Sequence, residues 1–133
     1  MEQQSDSYRT IAAPAESHSR ERSSKFLAFA YPVRNEEQIR TQLDELRKRY
    51  YDATHHCYAW RLGPRGENFR ANDDGEPSGT AGRPILGQLM SMGVTECLVV
   101  VVRYFGCIKP GVPGLLNAHR ESMAAVLRFA GIM

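Results

Sequence analysis

Three carboxylates fall within four residues in Asp73-Asp74-Gly75-Glu76, and the stretch continues through Pro77, Ser78, Gly79, Thr80 and Ala81 to Gly82. Such a cluster has two chemistries open to it: holding a divalent ion, or moving protons as general acid and base. A calcium loop is excluded by spacing, because Gly75 comes too early and no bidentate Glu follows at the required distance. The blander reading is a polar turn whose Asp side chains bond nearby backbone and cap the next helix, and it is the one the residues favour. Ser78 and Thr80 carry hydroxyls, yet no pattern supplies the partnered base a nucleophile needs, so both are read as capping groups. No catalytic residue, resident metal or cofactor is assigned.

A second glycine-rich passage runs Arg103-Tyr104-Phe105-Gly106-Cys107-Ile108-Lys109-Pro110-Gly111-Val112-Pro113-Gly114. Glycines at such junctions permit positive φ or close approach of backbone to a ligand, and a helix that follows leaves its first N–H groups unpaired. Lys109 could join those amides in holding a phosphate. The passage is not a nucleotide P-loop, since the lysine lacks the Gly before it and the Ser or Thr after it. The candidate binding set, for an anion, RNA or a partner, is therefore Asp73, Asp74, Glu76, Ser78, Gly79, Thr80, Gly82, Arg103, Tyr104, Gly106, Lys109, Gly111 and Gly114. The two corners are expected to meet in a single receptive hollow.

The elements that must position these loops are legible from periodicity. An apolar run over 25–31, ended by Pro32, suits a strand with two partly covered faces. Asn35 before Glu36 and Glu37 reads as an N-cap, and Ile39, Leu43, Leu46 and Tyr50 form the apolar stripe of a helix over about 36–51. Alternation over 55–62 predicts a strand, with a turn at 63–66 and a hairpin partner at 68–71. A helix over about 82–92 ends at Gly93, and 97–102 is a β-branched strand apolar on both faces. The last helix starts near Val112 or Pro113 and aligns Leu115, His119, Met123, Val126 and Ala130. His119 on that stripe is read as a hydrogen-bonded core histidine. His55 and His56, adjacent on a strand, point to opposite faces and cannot jointly grip a metal.

This order of elements predicts an α+β two-layer sandwich with the helices on one face. Residues 1–19 are expected to be a mobile segment, with 8–11 as a candidate edge strand, and 20–133 a single domain. Seventeen Lys and Arg against fifteen Asp and Glu leave a formal charge of +2, which announces no nucleic-acid binding through bulk charge. Local basic residues, Arg20, Arg22 and Lys25 with 47–49, could still meet RNA phosphates, although such charges usually form a solvated face. Three widely spaced cysteines without a Cys-x-x-Cys pair point to reduced thiols and a cytoplasmic protein. The polar N-terminal stretch and the short apolar run at 97–102 exclude a signal peptide and a membrane partner.

Four stretches carry a resemblance to a known family: Ser24-Lys25-Phe26-Leu27-Ala28, Asp52-Ala53-Thr54-His55-His56-Cys57-Tyr58-Ala59, the run from Asp73 to Gly82, and Arg103-Tyr104-Phe105-Gly106. Together they make the chain, from about Tyr8 to Ala130, similar to the IMPACT (YigZ-type) N-terminal domain. The resemblance implies a mostly antiparallel sheet of the ribosomal protein domain-2-like type, shared with domain IV of the translocating elongation factor. It also implies a role in translation control. Eukaryotic relatives dampen a stress pathway by competing for an activator of the kinase that phosphorylates an initiation factor. For bacterial relatives, RNA or ribosome contact is implied by fold analogy. In the second loop Cys107, Pro110 and Pro113 stand where the family pattern has Gly, Leu and Gly, and Asn117 and His119 where it has Arg and Tyr. These exchanges stiffen the loop and remove a positive charge. The sequence stops at Met133, where a ferredoxin-like C-terminal domain is common in bacterial relatives, so fewer partner surfaces are expected.

The leading expectation is a non-enzymatic cytoplasmic binding domain of translation, contacting RNA, the ribosome or a translation-associated protein, with its oligomeric state left open. Its rival is a divalent-metal-dependent hydrolase or phosphotransferase built on Asp73, Asp74 and Glu76.

Overall fold

The computed structural model describes residues 8–21, 23–106 and 111–131. Eight elements follow in chain order: β1 (Ala15–Glu21), β2 (Ser24–Pro32), α1 (Glu36–Arg49), β3 (His55–Leu62), β4 (Asn68–Asn72), α2 (Gly82–Ser91), β5 (Cys97–Tyr104) and α3 (Gly111–Ala130). The strands form one five-stranded sheet in the order β1-β2-β5-β3-β4, with every neighbouring pair antiparallel. The α+β class and the antiparallel sheet are as expected.

The placement of the helices is not. Alternate residues of the central strands point to opposite faces, and both faces are dry. On one, Leu27, Phe29, Trp60, Leu98 and Val100 meet Ile39, Leu43 and Leu46 of α1. On the other, Phe26, Ala28, Ala59, Val99 and Val101 meet Ile85 and Leu89 of α2 and Leu115, Met123 and Val126 of α3. The molecule thus has three layers, because a sheet apolar on both sides needs cover on both.

A second difference lies near the N-terminus. Residues 15–19, expected to be mobile, belong to β1, which pairs with β2 in register from Ala15 opposite Ala30 to Glu21 opposite Ser24. Residue Arg9 bridges Val94 in parallel, and Thr95 N donates to the Arg9 carbonyl, so the 8–11 segment rests on the molecule through an isolated bridge.

Local chemistry explains the boundaries. Asn35 Oδ1 accepts from Gln38 N at 2.8 Å, while Gln38 Oε1 accepts from Arg34 N, so the orphan amides at the start of α1 are met from both sides. α2 ends as expected through Gly93 at φ +67°, with Val94 N reaching back to the Leu89 carbonyl. Arg61 adds a guanidinium hydrogen bond to the Val94 carbonyl. Among the described residues, no helix is long and apolar enough to cross a membrane.

Candidate functional site

The first glycine-rich loop is organised around the carboxylate of Asp73. Its Oδ1 accepts from Ala81 N and Gly82 N, and its Oδ2 accepts from Gly79 N, at 2.9–3.1 Å. Ala81, the N-cap position of α2, makes no cap of its own, so a carboxylate from upstream does that work at the positive end of the helix. The amides that could have received an anion are already occupied from within the chain. Asp74, at φ +46°, turns its carboxylate to His56 N at 2.7 Å and its carbonyl to His55 Nδ1 at 2.7 Å. Thr80 donates its hydroxyl to the Pro77 carbonyl within the loop rather than capping α2 as expected, and Ser78 is exposed. Gly82 is needed for close approach, since a Cβ there would lie 2.5 Å from Asn72 N.

Glu76 behaves differently from the two aspartates. It is buried, and Arg103 grips it through two guanidinium nitrogens, Nε to Oε2 and Nη2 to Oε1, the latter at 2.8 Å. Arg103 spends a third donor, Nη1, on Ser24 Oγ at 3.0 Å. His119, fully buried on α3, lies with Nε2 3.0 Å from Glu76 Oε2. Since a carboxylate can only accept, Nε2 carries the proton and Nδ1 is left as an acceptor, without a partner among the described residues. His55 completes the group with Nε2 3.4 Å from Glu76 Oε1.

Burial by itself would raise the pKa of Glu76. The hydrogen bonds from His119 and Arg103 and the positive charge of Arg103 outweigh it, and the carboxyl is brought down to about 2. Burial pushes His119 below its ordinary value against the pull of Glu76, so its neutral form is favoured. Burial, with Glu76 and Asp74 nearby, pushes the Cys57 thiol strongly up. That thiol donates to the Asp73 carbonyl at 3.2 Å.

His55, Glu76 and Arg103 floor a pocket of about 300 Å³ in which the two loops meet. Gly75, Glu76 and Pro77 come from the first, Phe105, Gly111 and Val112 from the second, and Leu115 from α3. Phe105 is 48% and Val112 51% exposed at its rim, and the Arg103 guanidinium lies 5.2 Å from the Phe105 ring centre. Gly106 allows the backbones to touch: a Cβ there would fall 2.4 Å from the Ser23 carbonyl carbon, and its N–H donates to Ser24 Oγ. Tyr104 turns away from the pocket, donating its hydroxyl to Asp52 at 2.9 Å beneath the Lys25 ammonium. Burial first, then that bond, raises its phenol to about 12. Gly111 takes φ +77°, and Gly114 lies half-buried in the first turns of α3. Lys109 lies outside the described residues, as do Cys107, Ile108 and Pro110.

The metal-dependent rival requires the three carboxylates of the first loop to converge, and they do not. Among the described residues, the group whose ligand atoms gather within 4.8 Å is Cys57, Glu76 and His119. In that group Glu76 is engaged on both oxygens by Arg103, and the thiol is held protonated and bonded to a carbonyl, so the donor set is poorly suited to a cation. Sequence reading picked out Glu76 and Arg103 but missed His55, Ser24 and Cys57 beside them. The His119 hydrogen bond was expected, its carboxylate partner was not.

Comparison with known proteins agrees with this architecture. The Impact N-terminal domain family matches residues 22–127. The IMPACT family member YigZ of Escherichia coli is 37% identical over 125 residues, 92% of this chain and 61% of that protein. A crystal structure described as a hypothetical protein superposes with a TM-score of 0.90 at 36% identity, covering 95% of this chain and 62% of that one. The two-domain translational regulator Yih1 superposes at 0.50 with 29% identity, covering 88% and 46%. The chain spans 53–61% of the length of the bacterial relatives it matches. With the matched stretch covering most of the sequence, the chain belongs to the Impact N-terminal domain family.

Proposed function

We propose that this domain works in translation regulation as a cytoplasmic recognition module, receiving an apolar side chain of a translation-associated protein in the pocket above Glu76. The observation that carries this reading is the contrast between floor and rim. The charges of the floor are paired internally, whereas Phe105 and Val112 hold large apolar surfaces in solvent beside a concave space. Exposed apolar groups around a pocket mark the kind of surface that gains most from a partner. The translation link comes from likeness to the regulator Yih1. The unbridged thiols of Cys57 and Cys97 accord with a reducing compartment.

The test is affinity capture of ribosome-associated proteins from nuclease-treated lysate, run with the intact chain and with Phe105→Ala. Loss of a specific nuclease-resistant protein from the variant, at unchanged thermal stability, is the expected result. Equal capture by both would remove the pocket from the account.

A second reading, RNA contact, rests on a separate shelf. His18, Arg20, Lys25 and Tyr50 line one open depression on the α1 side of the sheet, with the Arg49 guanidinium 5.1 Å from the Tyr50 ring centre. Structured RNA titrated across a salt series would show saturable binding with a steep salt slope if this shelf takes phosphates. Flat, salt-independent behaviour would rule it out.

A further inference from the structure

The outer edge of the sheet and the flank of α1 form a surface distinct from both the pocket and the basic shelf. Strand β4 closes the sheet with only β3 beside it, and residues 68–71 are exposed. Among the described residues, no hydrogen bond outside the β3 ladder reaches the backbone of 68–71. An edge left open in this way presents a row of main-chain donors and acceptors that an added strand can satisfy.

Beside that edge, a groove of about 200 Å³ runs between β4 and α1. Tyr58 and Trp60 lie at its floor, and Arg40, Arg47 and Arg70 stand along it with Glu36 as its one acidic residue. Arg40 and Arg47 are two turns apart, ~10 Å along the helix. Arg70 is paired with Trp60 across the ladder and so shares the α1 face of the sheet. Among the described residues, none of the three guanidinium groups has a hydrogen bond or an ion pair. Phe69, one residue along, pairs with Arg61 and faces the opposite side, 52% exposed.

We propose that β4 and the arginine-lined flank of α1 take up an extended acidic segment of a protein partner as a sixth strand, its carboxylates alternating with apolar side chains. The alternation follows from the strand itself. Successive side chains of an added strand point to opposite faces, so every second one meets the arginines and those between meet Phe69. Carboxylates fit the first set because the planar guanidinium fork binds them bidentately. A single-stranded nucleic acid fits less well, since Tyr58 and Trp60 are only 8% and 7% exposed and offer bases no open ring to stack on.

The intact chain is titrated with a peptide of alternating Glu and Val and followed by amide chemical shifts and hydrogen exchange. The expected outcome is saturable binding with exchange slowed at residues 68–71. The paired variant Arg47→Gln with Arg70→Gln, both on the surface, should weaken it by about tenfold or more. The same peptide N-methylated along its pairing edge should lose binding, because the main-chain bonds are then unavailable. Three results overturn the proposal: no binding of the peptide, equal binding of its N-methylated form, or oligouridylate binding at these arginines in place of the peptide.

Discussion

Arg103 and Glu76 stand 27 residues apart in the chain and meet as a two-pronged ion pair closed off from solvent, the glutamate side chain being wholly buried. The pair ties the first loop to the end of β5, and through His119 and Ser24 it also ties in α3 and β2. Such a pair gains little over a well-packed apolar pair in the same place, yet costs heavily when halved, because the surviving charge is left in a dry interior.

Glu76→Gln should therefore cost about 3–5 kcal/mol in urea denaturation, since it leaves the Arg103 guanidinium without its counter-charge. Replacing both residues together, as Glu76→Leu with Arg103→Met, should cost less than the single change. A single variant as stable as the parent would show the pair to be energetically idle.

Acid should loosen the fold through the same group, and the direction follows from linkage. Glu76 sits at about 2 in the folded chain against an ordinary 4.5, so its contribution, ~3 kcal/mol, is complete above 4.5 and drains away as pH falls towards 2. His119 is held below its ordinary 6.5, so protonation of the unfolded chain begins to favour unfolding below that point. Melting temperatures measured from neutral pH downward should start to fall near 6.5 and drop most steeply between 4.5 and 2. A Glu76→Gln variant with the same slope as the parent in the lower range would contradict this.

Asp73→Ala removes the acceptor for three amides at the entry to α2 and should cost about 2 kcal/mol. Hydrogen exchange should speed up at Gly79, Ala81 and Gly82 in particular. Unchanged protection at those amides would mean that the bonds are replaced by solvent without loss.

Glycine positions give a paired control. Gly106→Ala should destabilise by about 1–3 kcal/mol, because its Cβ would collide with the Ser23 backbone. Gly87→Ala, in the interior of α2 with nothing within 4 Å of the new atom, should stabilise by about 0.5–1 kcal/mol. Equal effects in thermal melts would undercut the claim of backbone contact at Gly106.

Much of the fold was legible because local signals are strong. Asn35 with its acidic followers marked the start of α1, Gly93 marked the end of α2, and β3 declared itself by alternation. The layer count was misread although its signal was present. An apolar run on both faces of β2 and β5 already demands two covering layers, and α1 supplies the second. The site was half legible: Glu76 and Arg103 stand in unusual loops, whereas His55 and His119 reach them only through folding, from positions 21 and 43 residues away from Glu76. A histidine on an apolar stripe gives no hint of which carboxylate it will find.

By seating its own aspartate where a foreign anion would otherwise dock, the run from Asp73 to Gly82 is self-liganded. Its unusual composition then records how the backbone of this chain closes on itself: the stretch is a clasp rather than a receptor. In this chain the surface left to meet a partner lies in the side chains around it, such as Phe105 and Val112 at the pocket rim.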